Sequence, residues 1–172
     1  MRLLAWRAAA RHQRRSQELR APMHPVSVET LSAAASEVHR CLGPGLSEVI
    51  YQTALAIDLR KRGCQVETEV VIPIAYQETY VGFVRADLVV NQCTIIEVKA
   101  VAKITDAHML QLENYMRWLS LDRMASPPKG GPQGAVVNFC KHVSVIGSVS
   151  NTRLAADHDV TASGEEEAPT TA

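Results

Sequence analysis

Asp87, Glu97 and Lys99 lie in two neighbouring runs of β-branched and apolar residues, 80–90 and 94–100, that read as strands. Alternate side chains on a strand share a face. Phe83, Arg85, Asp87 and Val89 are therefore expected on one face, and Ile95, Glu97 and Lys99 on one face of the next strand. A turn made of Asn91, Gln92 and Cys93 sets Asp87 directly opposite Glu97, with Lys99 two residues further on. Opposed like charges destabilise a hairpin, and the flanking Leu88, Val89, Val90, Ile95 and Ile96 imply burial. Two carboxylates held together near a core need a cation or a shared proton. A hard divalent ion that takes oxygen ligands, Mg²⁺ or Mn²⁺, meets that need. Lys99 beside the pair can hold an attacking water and stabilise charge developing on a phosphate. Two alternatives stay open at this level: a hairpin whose polar face is solvated, and a one-residue register slip that separates the carboxylates.

The remaining elements must bring these strands together. Glu48 opens a helix read over 47–62 and projects on the side of its stripe, Tyr51, Leu55 and Leu59, so it offers a third ligand. The same position also suits an acid that simply favours the helix dipole. Ser27 can cap an earlier helix with the stripe Leu31, Ala34, Ala35, Val38 and Leu42, which Gly43-Pro44-Gly45 stops. A strand over 66–75 precedes the two acidic ones, and Pro73 makes it an edge strand or an interrupted one. Thr105 caps a helix over 106–119, residues 125–134 form a Pro/Gly loop, and strands at 135–139 and 142–146 follow. The order is ααβββαββ, without internal repeats.

The chain has 172 residues, 47% hydrophobic and 21% charged, with no net charge, which suits one domain. No apolar run approaches the roughly 20 residues of a membrane span, so no membrane partner is expected. Charge is segregated. Residues 1–26 carry six Arg against one Glu, a leader expected to be either an organelle (mitochondrial or plastid) transit peptide or a disordered basic arm. Residues 27–150, expected to be the single domain, are nearly neutral. Residues 151–172 hold one Arg against five acids and are expected to be a disordered tail. Cys41, Cys64, Cys93 and Cys140 form no CxxC pair, so they are expected to be small buried hydrophobes in a reducing, intracellular compartment. No phosphate-binding loop of the GxxxxGK[ST] kind and no Ser-His-Asp ordering is present.

Gly45-Leu46-Ser47-Glu48-Val49-Ile50-Tyr51 matches the Gly-x-x-Glu-x-x-Tyr signature of the GxxExxY protein family. Arg85-Ala86-Asp87-Leu88-Val89-Val90, followed by Glu97-Val98-Lys99, resembles the metal-binding half of the PD-(D/E)XK nuclease superfamily. His108 to Tyr115 resembles that family's next motif, in which Gln and Tyr stand four residues apart. Gly134 to Phe139 is similar to the strand after it. The likeness spans about residues 28–147. It implies an α/β (α+β) restriction-endonuclease-like core, with a mixed central sheet flanked by helices.

The resemblance implies a Mg²⁺- or Mn²⁺-dependent nuclease acting on DNA or RNA. Asp87, Glu97 and Glu48 would hold the ion, assisted by the Val98 carbonyl, and Lys99 would position water. Gln111 and Tyr115 would orient Lys99 or touch phosphate. Arg85 would neutralise a carboxylate or touch the substrate backbone. His108 would support the site or cap its helix, and Tyr51 would be a packed residue whose hydroxyl bonds to the site. The near-neutral domain leaves room for another reading, since tight phosphate contact favours a basic surface. That reading is a catalytically silent nucleic-acid-binding or protein-interaction module. A hydrolase of small phosphoesters using the same site is a third. The choice of DNA or RNA and the oligomeric state are not encoded in these motifs.

Overall fold

The computed structural model describes residues 24–123, 133–149 and 152–156. Their elements are α1 (Val28–Leu42), α2 (Glu48–Lys61), β1 (Val66–Tyr76), β2 (Thr79–Val90), β3 (Thr94–Lys99), α3 (Asp106–Arg123), β4 (Gln133–Phe139), β5 (Val143–Val149) and β6 (Thr152–Ala156). The ααβββαββ order is present, with one strand added at its end. The strands form one sheet in the order β1 to β6. Neighbours are antiparallel except β3 and β4, which run parallel. A parallel pair needs a crossover connection, and α3 lies within it.

Capping chemistry sets the helix limits. Ser27 Oγ accepts the Thr30 N–H at 3.1 Å and starts α1. Gly43, at φ 69°, ends it and donates its N–H to His39 O at 2.8 Å. The apolar stripe stops at Val38, and Leu42, expected on it, is exposed.

The core has two halves. Leu31, Ala34, Ala35 and Val38 of α1 and Tyr51, Leu55, Ala56 and Leu59 of α2 pack on Leu88, Val90, Ile96, Val98, Ala135 and Val137. Met109, Leu112, Met116 and Leu119 of α3 pack on Val89, Ile95 and Val136. Adjacent strand residues thus alternate between the halves, so α1 and α2 cover one face of the sheet and α3 the other. β3, covered on both faces, is buried along its length up to Lys99.

The β2–β3 pairing is Leu88↔Ile96, Val89↔Ile95 and Val90↔Thr94, as a three-residue turn at Asn91-Gln92-Cys93 demands. Asn91 and Gln92 take up left-handed backbone there, at φ 49° and 63°. β1 is an edge strand, where the missing N–H of Pro73 is tolerated.

Three expectations need correcting. Phe83, Arg85 and Asp87 do not continue the face of Val89: Ala86, with Val70 and Ile72, packs in the same α3-side cluster as Val89. The alternation slips at Asp87. There the β1–β2 pairing runs Thr68↔Leu88 and Val70↔Ala86 but skips Glu69 and Asp87, and Glu69 has a left-handed φ of 54°. Secondly, the tail contributes β6, which pairs with β5 from Val149↔Thr152 to Val145↔Ala156. Main-chain pairing needs no apolar alternation, so composition did not signal it. Thirdly, of the four free cysteines only Cys93 is buried, while Cys64 and Cys140 are half-buried and Cys41 is exposed.

The leader up to residue 23, residue 124 with residues 125–132 of the Pro/Gly loop, and the tail beyond 156 lie outside the described residues. Among the described residues no helix is long and apolar enough to cross a membrane.

Gln133 and Gly134, expected in the loop, instead open β4. Gly134 lies under α3: a Cβ there would come within 2.7 Å of Met116 Sδ and 2.8 Å of Leu112 Cδ1. Gly134→Ala is therefore expected to force Met116 and Leu112 of α3 to repack and cost about 1–3 kcal/mol. A lowered urea midpoint with an unchanged denaturant slope checks this.

Candidate active site

At Asp87 the sheet opens. β2 and β3 stop pairing after Leu88↔Ile96. Beyond that point the Asp87 side chain takes over the role of the main chain, with Oδ2 accepting the Val98 N–H at 2.8 Å. The opposition with Glu97 expected from a regular ladder is thereby replaced by a carboxylate wedged between the strands. Asp87 remains close enough for its charge to act on Glu97.

Glu97 lies mid-strand in β3 on the α3 face and is 1% exposed. Its Oε2 receives two long contacts, one from Lys99 Nζ and one from Gln111 Nε2, both at 3.4 Å. Its Oε1 is buried and has no hydrogen-bond partner. Gln111 also donates to Tyr115 Oη at 2.9 Å, one helical turn along α3. Gln111, with Tyr115 behind it, thus reaches Glu97 rather than Lys99. The Lys99 side chain is 14% exposed, at the end of the strand.

Glu48 approaches from the start of α2. Its Oε1 accepts the Ala100 N–H at 3.0 Å and so fixes the chain just after Lys99. The Tyr51 hydroxyl, expected to bond to the site, instead donates to Gly43 O at 2.6 Å and accepts from Leu46 N at 3.1 Å. Its ring stacks on Phe139 with centroids 4.6 Å apart. Tyr51 therefore sets the loop that delivers Glu48. His108 serves as a cap: its Nδ1 accepts the Thr105 N–H at 3.1 Å, and it takes no part in the acidic cluster. Arg85 reaches Glu69, with Nε 2.7 Å from Oε2, rather than Asp87.

Sequence reasoning missed three polar residues here. Gln52, one turn after Glu48 on α2, is buried and bonds to Glu69 and to the Asp87 carbonyl. Its i+4 spacing from Glu48 was the available signal. Glu69 comes near Asp87 only through the left-handed residue in β1, which no pattern announced. Asn138 of β4 grips Val101 twice, accepting its N–H at 3.0 Å and donating to its carbonyl at 2.8 Å.

The donor set at Asp87 and Glu97 suits a hard cation, because a buried carboxylate oxygen without a partner is costly unless something neutralises it. Among the described residues no group of three or more His, Cys, Asp or Glu is arranged to hold a metal ion. Of the three carboxylates expected as ligands, Glu48 lies close enough to act on Asp87 by its charge, and its Oε1 accepts the Ala100 N–H. Two carboxylates are still sufficient for Mg²⁺, which keeps waters and takes phosphate oxygens as further ligands.

Burial, and secondly the charge of Asp87, push the Glu97 carboxyl up to about 7, against the pull of Lys99 and of the Asp87 main-chain N–H. Burial also raises Asp87, opposed by the Val98 N–H and Lys99 and reinforced by Glu69 and Glu48. A carboxyl with a raised folded pKa binds more protons folded than unfolded. Stability should therefore fall as pH rises from 4.5 towards about 7 and level off above. The Glu97 share of that loss is about 3 kcal/mol at most. Denaturation of metal-free protein at pH 5 to 8 is expected to show the decline. Glu97→Gln should flatten most of it and exceed the wild type in stability at pH 8; an unaltered slope would refute the assignment.

Neither a curated protein nor a solved structure gives a match to the chain. The family profile described as the PD-(D/E)XK nuclease superfamily matches residues 26–145, from the residue before the Ser27 cap into β5. That span takes in Glu48, Asp87, Glu97, Lys99 and Gln111 in the superfamily's Asp…Glu-x-Lys order, on an α+β core with a mixed sheet. The chain belongs to the PD-(D/E)XK nuclease superfamily.

Proposed function

We propose that the protein hydrolyses phosphodiester bonds in DNA or RNA with a divalent ion, Mg²⁺ or Mn²⁺, held by Asp87 and Glu97. The observation that carries this reading is the unpartnered, buried Oε1 of Glu97 beside a second carboxylate, inside the superfamily's Asp…Glu-x-Lys strands. When bound, the ion would polarise a phosphoryl oxygen and lower the pKa of an attached water. The chain's own groups do the rest. Lys99, largely withdrawn from solvent, offers an ammonium beside the carboxylates that can hold the attacking water or a non-bridging phosphate oxygen. Gln111, steadied by Tyr115, orients Glu97 from the α3 side. Glu48 holds Ala100 and so fixes the position from which Lys99 extends. Arg85, paired with Glu69 and mostly exposed, is available to the substrate backbone.

Within the superfamily we assign the chain to the GxxExxY type. Gly45, Glu48 and Tyr51 work as one local unit in support of that assignment: Tyr51 ties the loop before α2 on both sides of Gly45, and Glu48 then reaches β3.

Labelled single- and double-stranded DNA and RNA, incubated with Mg²⁺ or Mn²⁺, should be cut by the wild type. Asp87→Ala, Glu97→Ala and Lys99→Ala should each lose about a hundredfold or more in rate. Calorimetric titration of Mn²⁺ should show binding to the wild type and none to Asp87→Ala. Cleavage that survives all three substitutions would overturn the site. Binding of nucleic acid without cleavage in either metal would make the protein a silent binding module instead.

A further inference from the structure

Both ladders that should hold Asp87 are interrupted at that residue. Towards β3, pairing ends at Leu88↔Ile96 and the Asp87 carboxylate substitutes for it. Towards β1, the pairing skips Glu69 and Asp87, where Glu69 turns left-handed. A mid-sheet residue released on both sides has a main-chain carbonyl to satisfy and considerable freedom to drift. Gln52 removes both problems. It is 6% exposed, and its Nε2 donates to the Asp87 carbonyl at 3.0 Å and to Glu69 Oε1 at 2.7 Å. Both partners can only accept, so the amide has one chemically sensible orientation. Glu69 is held from its other side by Arg85, whose Nε lies 2.7 Å from Oε2. A chain of contacts therefore runs from α2 through Gln52 to the backbone of Asp87, and through Glu69 to Arg85.

Building on the ion site proposed above, we infer that Gln52 is the positioning residue of Asp87. It touches neither ion nor substrate. It fixes the main chain from which the Asp87 carboxylate extends, and together with Arg85 it holds Glu69 in place beside Asp87. Outer partners of this kind typically set ion affinity within a factor of ten to a hundred.

The test compares the full-length wild type with Gln52→Met, which keeps the side-chain length but cannot donate. The Val98 amide, which Asp87 Oδ2 accepts, reports on Asp87 without any ion. In metal-free protein, Val98 hydrogen exchange should quicken about tenfold or more, while Val137 in β4 keeps its protection. Mn²⁺ affinity measured by calorimetry should weaken about tenfold or more. Gln52→Asn, one methylene shorter but still polar, serves for the same two measurements should the Met variant not fold. Val98 protection equal to that of the wild type in a folded variant would overturn the inference. A wild type that binds no Mn²⁺ would instead overturn the proposed function, and the Val98 exchange would still decide the role of Gln52.

Discussion

A carboxylate buried in the central strand of a sheet, next to a second one, is a standing cost that the protein must meet. Glu97 has helices over both faces of its strand, its Oε2 has only long side-chain contacts, and its Oε1 has no hydrogen-bond partner. An uncompensated buried charge either takes a proton or recruits an opposite charge. Lys99 supplies part of that compensation. The remaining demand explains why the sheet departs from regularity just here. A regular ladder would press Asp87 against Glu97, whereas the opened one gives Asp87 the Val98 N–H as a partner.

The rest of the fold serves to hold that opening still. α3 crosses over one face and brings Gln111 to Glu97, a close approach that the bare backbone of Gly134 permits. α2 lies on the other face and sends three polar residues inward along its first turns: Glu48 to β3, Tyr51 to the preceding loop and Gln52 to β2. The stacking of Tyr51 on Phe139 ties that turn to β4 as well. The aliphatic core thus acts as a mount for a small polar centre, and the polar contacts set its geometry to within hydrogen-bonding tolerances.

Much of this was legible in the chain because it rests on local rules. Ser27, Gly43, the Tyr51-Leu55-Leu59 stripe and the three-residue turn at Asn91 are decided by neighbours in sequence, and the structure follows them. Pro73 on the edge strand follows from its missing donor. What escaped the sequence depends on contacts between distant elements or on backbone that breaks a pattern. Glu69 comes near Asp87 where its own backbone turns left-handed, and the alternation of β2 slips at the same level, which reverses the faces of Phe83 and Arg85. Gln52 looked like any polar residue on a helix until β2 was found beneath it. Glu48 was legible as an inward-facing acid, but its hydrogen bond to the main-chain N–H of Ala100 was not. β6 lies in a tail whose composition is mostly polar and acidic, and its pairing with β5 is made by the main chain.

The two residues after Lys99 are moored: Ala100 by Glu48, and Val101 at both its N–H and its carbonyl by Asn138. The strand before Lys99 is equally fixed, so the lysine is a tethered limb on an immobile pivot. Its ammonium can sweep only the arc that its own methylenes allow. A polymer served by this group would have to carry its backbone to the sheet, by bending or fraying, because the anchor of the lysine does not move to meet it.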